Sequence, residues 1–274
     1  MKPMYAKLSR RVFLGAAAAS QAHTARAQAK GIKLAIATYS LRKFARTEAI
    51  AMLKELGVQY LSVKEFHLPY KDSGAALAEG RKEFDRAGLQ IMSGGVVVTY
   101  REDDSSLRRY FEYGRSCRMP MLIMMPRATQ LPLIQKLAEE YQMRVAVHNH
   151  GPEDKNFPTP ESVYEAIRPL DRRIGICIDV GHSARAGVDV VRAIEKCRDR
   201  LIDVHIKDLR DLAGHTDCEV GKGVLPIPAI LKTLVTIGYS DCVSLEYEAE
   251  PENPMAGVRA SLAYIRGVLA GLGS

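Results

Sequence analysis

Eight short apolar runs alternate with segments of helical spacing, and this alternation constrains the fold of the 274-residue chain more than anything else in it. The runs fall at residues 34–38, 60–63, 89–98, 121–125, 145–148, 174–179, 201–206 and 242–247. After them, residues 47–56, 75–87, 105–117, 131–141, 160–167, 188–197, 227–237 and 257–269 place apolar side chains three and four apart, as a helix with one buried face does. Gly57, Gly88 and Gly238 close three of these segments. Strands that alternate with helices lie parallel, since parallel neighbours need a crossover. Eight such units at about 250 residues close into a barrel. The predicted fold is therefore α/β, a single (β/α)8 TIM barrel over residues 30–274. An open doubly wound sheet would want a glycine-rich phosphate turn after an early strand; Gly221-Lys222-Gly223 is short and lies late. The Gly94-Gly95 pair inside the third run signals a bulge or a close backbone approach.

Four runs end in side chains that bind metals. Val145-Ala146-Val147 leads into His148-Asn149-His150-Gly151-Pro152; His148 and His150, two apart, share one face of an extended chain. Asp179 ends the sixth run, followed by Val180-Gly181-His182. The seventh run contains His205, with Lys207 on the same face, and Glu246 ends the eighth. Nitrogen and oxygen donors at the carboxyl ends of barrel strands are how a divalent-metal site is assembled on this fold. Blander roles compete: Asp179 as a helix cap or a buried ion pair, His205 as a core histidine, His182 as a surface residue, Lys207 as a partner of Asp208. Donors two apart on one strand point nearly parallel, so one of His148 and His150 is read as the ligand and the other as a base or substrate donor. His182 and Lys207 are read as substrate contacts. Lys64 and Glu65, after the second run, are candidates for acid or charge stabilisation. Glu248, Glu250 and Glu252 are taken as surface charge.

The formal charge of +7 is misleading. Residues 1–27 carry Lys2, Lys7, Arg10, Arg11 and Arg26 and no acid; setting those five of the 39 basic residues aside leaves 34 against 32 acidic. A nucleic-acid partner would want basic residues on the folded part, so none is expected. The leader, Ser9-Arg10-Arg11-Val12-Phe13-Leu14 followed by alanines and by the small-residue sites Ala25-Arg26-Ala27 and Ala27-Gln28-Ala29, resembles a twin-arginine export signal over residues 1–29. That resemblance implies recognition by the twin-arginine translocation machinery and a periplasmic location. No run is long enough to span a bilayer in the mature chain. The five cysteines are odd in number and form no CxxC pair, so no disulfide framework is expected. A homo-oligomer is compatible with the sequence.

Taken together, His-Asn-His-Gly, Asp-Val-Gly-His, Asp-Val-His-Ile-Lys-Asp and Leu-Glu-Tyr-Glu resemble the xylose-isomerase-like barrel superfamily over roughly residues 31–270. That group includes sugar isomerases, ketose 3-epimerases, inosose dehydratases and endonuclease IV relatives. Its epimerase-like members hold a divalent ion with Glu, Asp, His and Glu. The last three positions match Asp179, His205 and Glu246; the first falls on His148, a departure from the glutamate that also carries a proton there. The resemblance implies a divalent ion (Mn, Co, Mg or Zn) and a small-molecule sugar substrate. It implies an isomerase or epimerase that removes a proton next to a keto-sugar carbonyl, with His150 or Glu246 as base. Dehydration or β-elimination of oxidised sugars or glycosides, and a catalytically inactive sugar-binding barrel, are the alternatives. An endonuclease would need more ligands and a basic groove. The loop Glu219-Val220-Gly221-Lys222-Gly223 offers one lysine beside an acid, too little for a phosphate, so an uncharged keto-sugar or oxidised glycoside is expected.

Overall fold

The structure, a computed structural model, describes residues 31–214 and 216–272. The twin-arginine segment lies outside the described residues. Eight strands close a parallel barrel: β1 (Lys33–Ala37), β2 (Tyr60–Val63), β3 (Gln90–Val98), β4 (Met121–Met125), β5 (Arg144–His148), β6 (Ile174–Asp179), β7 (Leu201–Ile206) and β8 (Cys242–Leu245). Each strand pairs with its sequence neighbours, and β1 closes on β8 through Lys33–Cys242 to Ile36–Leu245. The helices between them are α1 (Arg46–Glu55), α2 (Gly74–Arg86), α3 (Leu107–Ser116), α4 (Leu131–Tyr141), α5 (Pro160–Ile167), α6 (Val180–Arg185), α7 (Val190–Cys197), α8 (Ile227–Thr236) and α9 (Met255–Leu272). The chain thus has the predicted architecture of a (β/α)8 barrel. No helix of the described residues is long and apolar enough to cross a membrane.

Local chemistry sets these boundaries. Ser73, Thr159 and Asp189 cap α2, α5 and α7 by accepting the N–H three residues on. Pro160 opens α5, where its missing N–H costs nothing. On β3, the pairing register with β4 shifts between Gly94 and Val97, and a side chain at Gly95 would collide with the Ile123 carbonyl. The glycine pair is thus both a bulge and a close approach. All five cysteines are free and buried.

Strand parity divides the core in two. The outward faces, with Val145, Val147, Ile176, Ile178, Val204, Ile206, Val243 and Leu245, pack under the helices in one continuous cluster. Inside the barrel, Met121, Ile123, Ala146 and Cys177 form a small apolar group towards β4–β6. The β7–β8 side of the interior instead carries Asp203, His205 and Ser244, all buried. A polar interior directly below the carboxyl ends of the strands marks that mouth as the functional end.

Candidate metal and substrate site

Four strand ends converge on one buried cluster. Residues paired in register across neighbouring strands bring the donors together: Asp179 lies opposite His205, and His205 opposite Ser244, two residues before Glu246. The backbone stays extended past β8, because the Glu246 N–H donates to the Ile206 carbonyl (3.0 Å) and that of Tyr247 to Ser40 Oγ (2.9 Å). Within the cluster, His148 Nε2 stands 3.6 Å from Asp179 Oδ2, and His205 Nδ1 stands 3.6 Å from Glu246 Oε2. The rings of His148 and His205 are 5.0 Å apart. Ligand atoms of Asp179, His205 and Glu246 all lie within 4.8 Å of one another, as do those of His148, Cys177 and His205.

Asp179 plays two parts. Its Oδ1 accepts the His182 N–H (2.8 Å) and caps α6, while its Oδ2 is buried without a hydrogen bond and faces His148. The capping role and the ligand role read from the sequence are compatible, because a carboxylate has two oxygens. Asn149 lies between the two histidines and locks the strand ends: its Oδ1 accepts the Asp179 N–H (3.0 Å) and its Nδ2 donates to Ser183 Oγ (3.1 Å). His182 sits on α6.

Lys207 is more central than expected. It is buried, and its Nζ donates to Glu246 Oε2 (2.8 Å) and Glu248 Oε1 (2.7 Å), with Asp179 Oδ2 at 3.4 Å. Its stem runs over Gly181, where a Cβ would come within 2.7 Å of Lys207 Cδ. Glu248 is therefore corrected from surface charge to a partner of the site; the extended chain beyond β8 gives it the same face as Glu246. The competing role, a Lys207–Asp208 pair, does not form. Asp208 instead accepts the backbone N–H groups of Leu209 (2.9 Å), Gly221 (2.9 Å), Gly223 (3.0 Å) and Leu225 (3.1 Å). The Gly221-Lys222-Gly223 nest is filled by the protein's own carboxylate.

Electrostatics follow from burial and pairing. Burial holds His148 down at about 4 and His182 at about 3, so both are neutral at pH 7. For Asp179 and Glu246 burial alone would raise the pKa, but Lys207 outweighs it and holds both well below the usual carboxylate range. Burial likewise disfavours the Lys207 ammonium, yet Asp179, Glu246 and Glu248 keep it charged. His205 is lowered by burial and raised further by Glu246, with a net upward shift.

His150 stands apart from the donor cluster. It is half-buried, its ring is 5.8 Å from that of His148, and it stacks obliquely on His182 at 4.3 Å. It lines a cavity of about 450 Å³ with Tyr100, Arg101 and Asn156, while His182 and Lys207 line another of about 280 Å³ with Asp217 and Glu248. Lys64 and Glu65 sit on the opposite side of the barrel: Lys64 Nζ donates to the Val96 carbonyl and pairs with Glu65 (3.4 Å). Among the described residues, no hydrogen bond or ion pair joins either to the cluster.

A divalent ion fits this donor set. Asp179 Oδ2 and both ring nitrogens of His148 and His205 are buried without a hydrogen-bond partner, an arrangement that is costly unless something else satisfies it. Hard oxygens with imidazole nitrogens suit Zn, Mn or Co. Fold and site define a barrel with a metal-type donor cluster at the carboxyl-end mouth. The family of the Xylose isomerase-like TIM barrel matches residues 128–268, just over half of the chain, and the protein belongs to it. An inosose dehydratase of Glaesserella parasuis is 28% identical over 156 residues, 49% of this chain and 52% of its own. The chain spans about half the length of the curated relatives it matches. Among solved structures, the IolI protein with a bound zinc superposes with a TM-score of 0.75 at 17% identity, over 87% of this chain and 98% of its own. An L-ribulose 3-epimerase does so with a TM-score of 0.72 at 17% identity, over 87% and 95%.

Proposed function

We propose that the protein is a divalent-metal-dependent sugar isomerase or epimerase that removes a proton next to a keto-sugar carbonyl. The observation that carries this reading is the convergence of buried, unpartnered donor atoms beside a half-buried histidine that is not one of them. In this reading His148, Asp179, His205 and Glu246 hold the ion. When bound, the ion polarises the substrate carbonyl and stabilises negative charge on its oxygen. His150 accepts the α-proton: it lies at the mouth, whereas Glu246 is engaged by Lys207 and His205. Return of that proton to the neighbouring carbon isomerises the sugar; delivery of a different proton to the opposite face of the same carbon, by a donor on that face while His150 keeps the one it took, epimerises it. His182 and Lys207, which line one cavity, orient the hydroxyls. Lys64 and Glu65 reach the substrate only from the far wall. The self-filled Asp208 nest favours an uncharged sugar over a phosphate ester. The names of the dehydratase relative and of the epimerase structure support the reaction class.

Elimination is the second reading, and a specific feature favours it. The two half-buried histidines, His150 and His182, lie side by side on one flank, and His148 stands where the two-glutamate epimerases carry a second proton carrier. A base on one flank suffices to remove an α-proton and expel a β-substituent. Incubating the Zn-, Mn- or Co-loaded protein with keto-sugars and 3-keto-glycosides in D2O tests both. Deuterium at the α-carbon with an isomeric sugar supports the first reading, and an unsaturated product the second. No exchange with any metal and substrate pair refutes them together.

The export reading stands beside this one and rests on Arg10-Arg11 and the small-residue sites after them. We propose that the protein is exported to the periplasm by the twin-arginine machinery, acting on residues 1–29. Replacing Arg10 and Arg11 by Lys should leave full-length chain in the cytoplasm; unchanged periplasmic recovery would count against it.

A further inference from the structure

His205 is held between two carboxylates, and only one of them belongs to the donor cluster. Asp203 and His205 are two apart on β7 and share the inward face of the barrel. Glu246 Oε2 stands 3.6 Å from His205 Nδ1, and Asp203 Oδ1 stands 3.8 Å from His205 Nε2 on the other edge of the ring. Asp203 is completely buried. Its Oδ1 accepts from Cys177 Sγ at 3.7 Å, and its Oδ2 has no partner. Among the described residues it caps no helix and bonds no backbone group. A carboxylate in that position costs free energy wherever it is not matched by a donor, and nothing in the fold requires it.

The ring it faces does require something. A histidine can ligate an ion only through a nitrogen that carries a lone pair, and which nitrogen that is depends on where the other nitrogen's proton is held. Nδ1 faces Glu246 at 3.6 Å, and Nε2 faces Asp203 at 3.8 Å, a gap that a shift of under about 1 Å would close to a hydrogen bond. We propose that Asp203 is a positioning residue for the metal site: it accepts the Nε2 proton of His205, fixing the tautomer whose Nδ1 lone pair faces Asp179, Glu246 and His148. Carboxylates behind ligating histidines act in this way, by orienting the ring and raising its basicity. The inference rests on the metal reading above. It adds that the polar layer under the site serves the ion and not the fold.

That distinction gives opposite signs for affinity and stability. Asp203→Asn keeps the shape and removes the charge. It should weaken Zn²⁺ binding by about 10–100-fold, as loss of such partners generally does, and change the visible absorption of the Co²⁺-loaded protein. The metal-free variant should unfold at the wild-type temperature or above it, because a desolvated and unmatched carboxyl group has gone. Asp203→Leu, which fills the space without a polar atom, should behave in the same direction. Affinity is read by competition with a chromogenic chelator, and unfolding by calorimetry without metal. Unchanged Zn²⁺ affinity and Co²⁺ spectrum in both variants would overturn the proposal, as would a loss of metal-free stability with affinity intact, which is the signature of a core residue. If the wild-type chain itself takes up neither Zn²⁺ nor Co²⁺, the metal reading fails and this inference falls with it. Wild-type uptake with unaffected variants refutes the inference alone.

Discussion

Lys207→Met tests the charge arrangement at the heart of the site. In the wild-type chain the buried ammonium serves three carboxylates: Glu248 at 2.7 Å, Glu246 at 2.8 Å and Asp179 at 3.4 Å. Methionine keeps the length of the stem over Gly181 and removes the cation. Taking one partner out of a buried charge cluster costs about 3–5 kcal/mol, since the remaining charges stay desolvated and unmatched. For a domain of this size each kcal/mol moves the melting temperature by roughly 2–4 °C. The metal-free variant should therefore melt about 10 °C lower, within a range of roughly 6–20 °C.

Divalent metal should reverse the loss. Two of the three oxygens around the ammonium, Glu246 Oε2 and Asp179 Oδ2, are also those facing His205 and His148. Lysine and ion thus draw on the same oxygens, and they repel each other. Unit charges 4 Å apart interact by about 4 kcal/mol at an effective dielectric of 20; a third of that gain would tighten ion binding about tenfold. Calorimetric melting with and without Zn²⁺, together with chelator competition, measures both quantities. The expected result is a variant that is less stable without metal and binds it about tenfold tighter or more. Weaker binding in Lys207→Met would refute the competition argument and make the lysine a prop that holds the carboxylates in ligating positions. A metal-free melting temperature equal to wild type would refute the claim that these charges depend on it.

Three further outcomes separate roles within the site. His148→Ala should lose bound metal and activity together, whereas His150→Ala should keep most of the metal and lose α-proton exchange into solvent; metal analysis and exchange measured by NMR decide it, and the reverse pattern would swap the two assignments. Asp208→Ala removes the acceptor of four backbone N–H groups and should raise hydrogen exchange at residues 217–225 while leaving metal content unchanged; protection equal to wild type would show the loop to be held by other contacts. Matched sugars with and without phosphate should compete with no advantage for the ester, and a preference of about tenfold for it, worth about 1.4 kcal/mol, would return the protein to sugar-phosphate chemistry.

The barrel was legible because its signals are local. Apolar runs of four to ten residues, glycine closures and capping residues are each signals carried by a short stretch of chain. Thus α4, α5, β4, β6 and β7 fall on the residues expected from spacing alone. Helix α6 was missed for a physical reason. Val180-Gly181-His182-Ser183 contains poor helix formers, and the turn holds because Asp179 caps it and Ser183 Oγ donates to the Asp179 carbonyl (2.6 Å). Its glycine is explained by tertiary contact, the passage of the Lys207 stem, which no window of sequence around Gly181 reveals.

The candidate donors are legible for the same reason as the strands: strand-end position alone puts Asp179, His205, Glu246 and one of His148 and His150 at one mouth of the barrel. Their charge partners are not. Lys207 reads as a substrate contact and Glu248 as a solvated loop charge, and only the extension of the chain past β8, pinned by Ser40, turns Glu248 inward to meet the ammonium. The consequence is electrostatic. Asp179, Glu246 and Glu248 bring three negative charges to a buried mouth, and Lys207 supplies one positive charge, with His148 neutral beside them. Hydrogen bonds satisfy Glu246 Oε2, Glu248 Oε1 and Asp179 Oδ1, but Asp179 Oδ2 and the ring nitrogens of His148 and His205 are buried without a hydrogen-bond partner. A monovalent lysine is enough to fold this site and too little to neutralise it. The shortfall, together with one lone-pair nitrogen on each of these two rings left without a donor, is the reason we propose a divalent ion as the complement of this particular sequence.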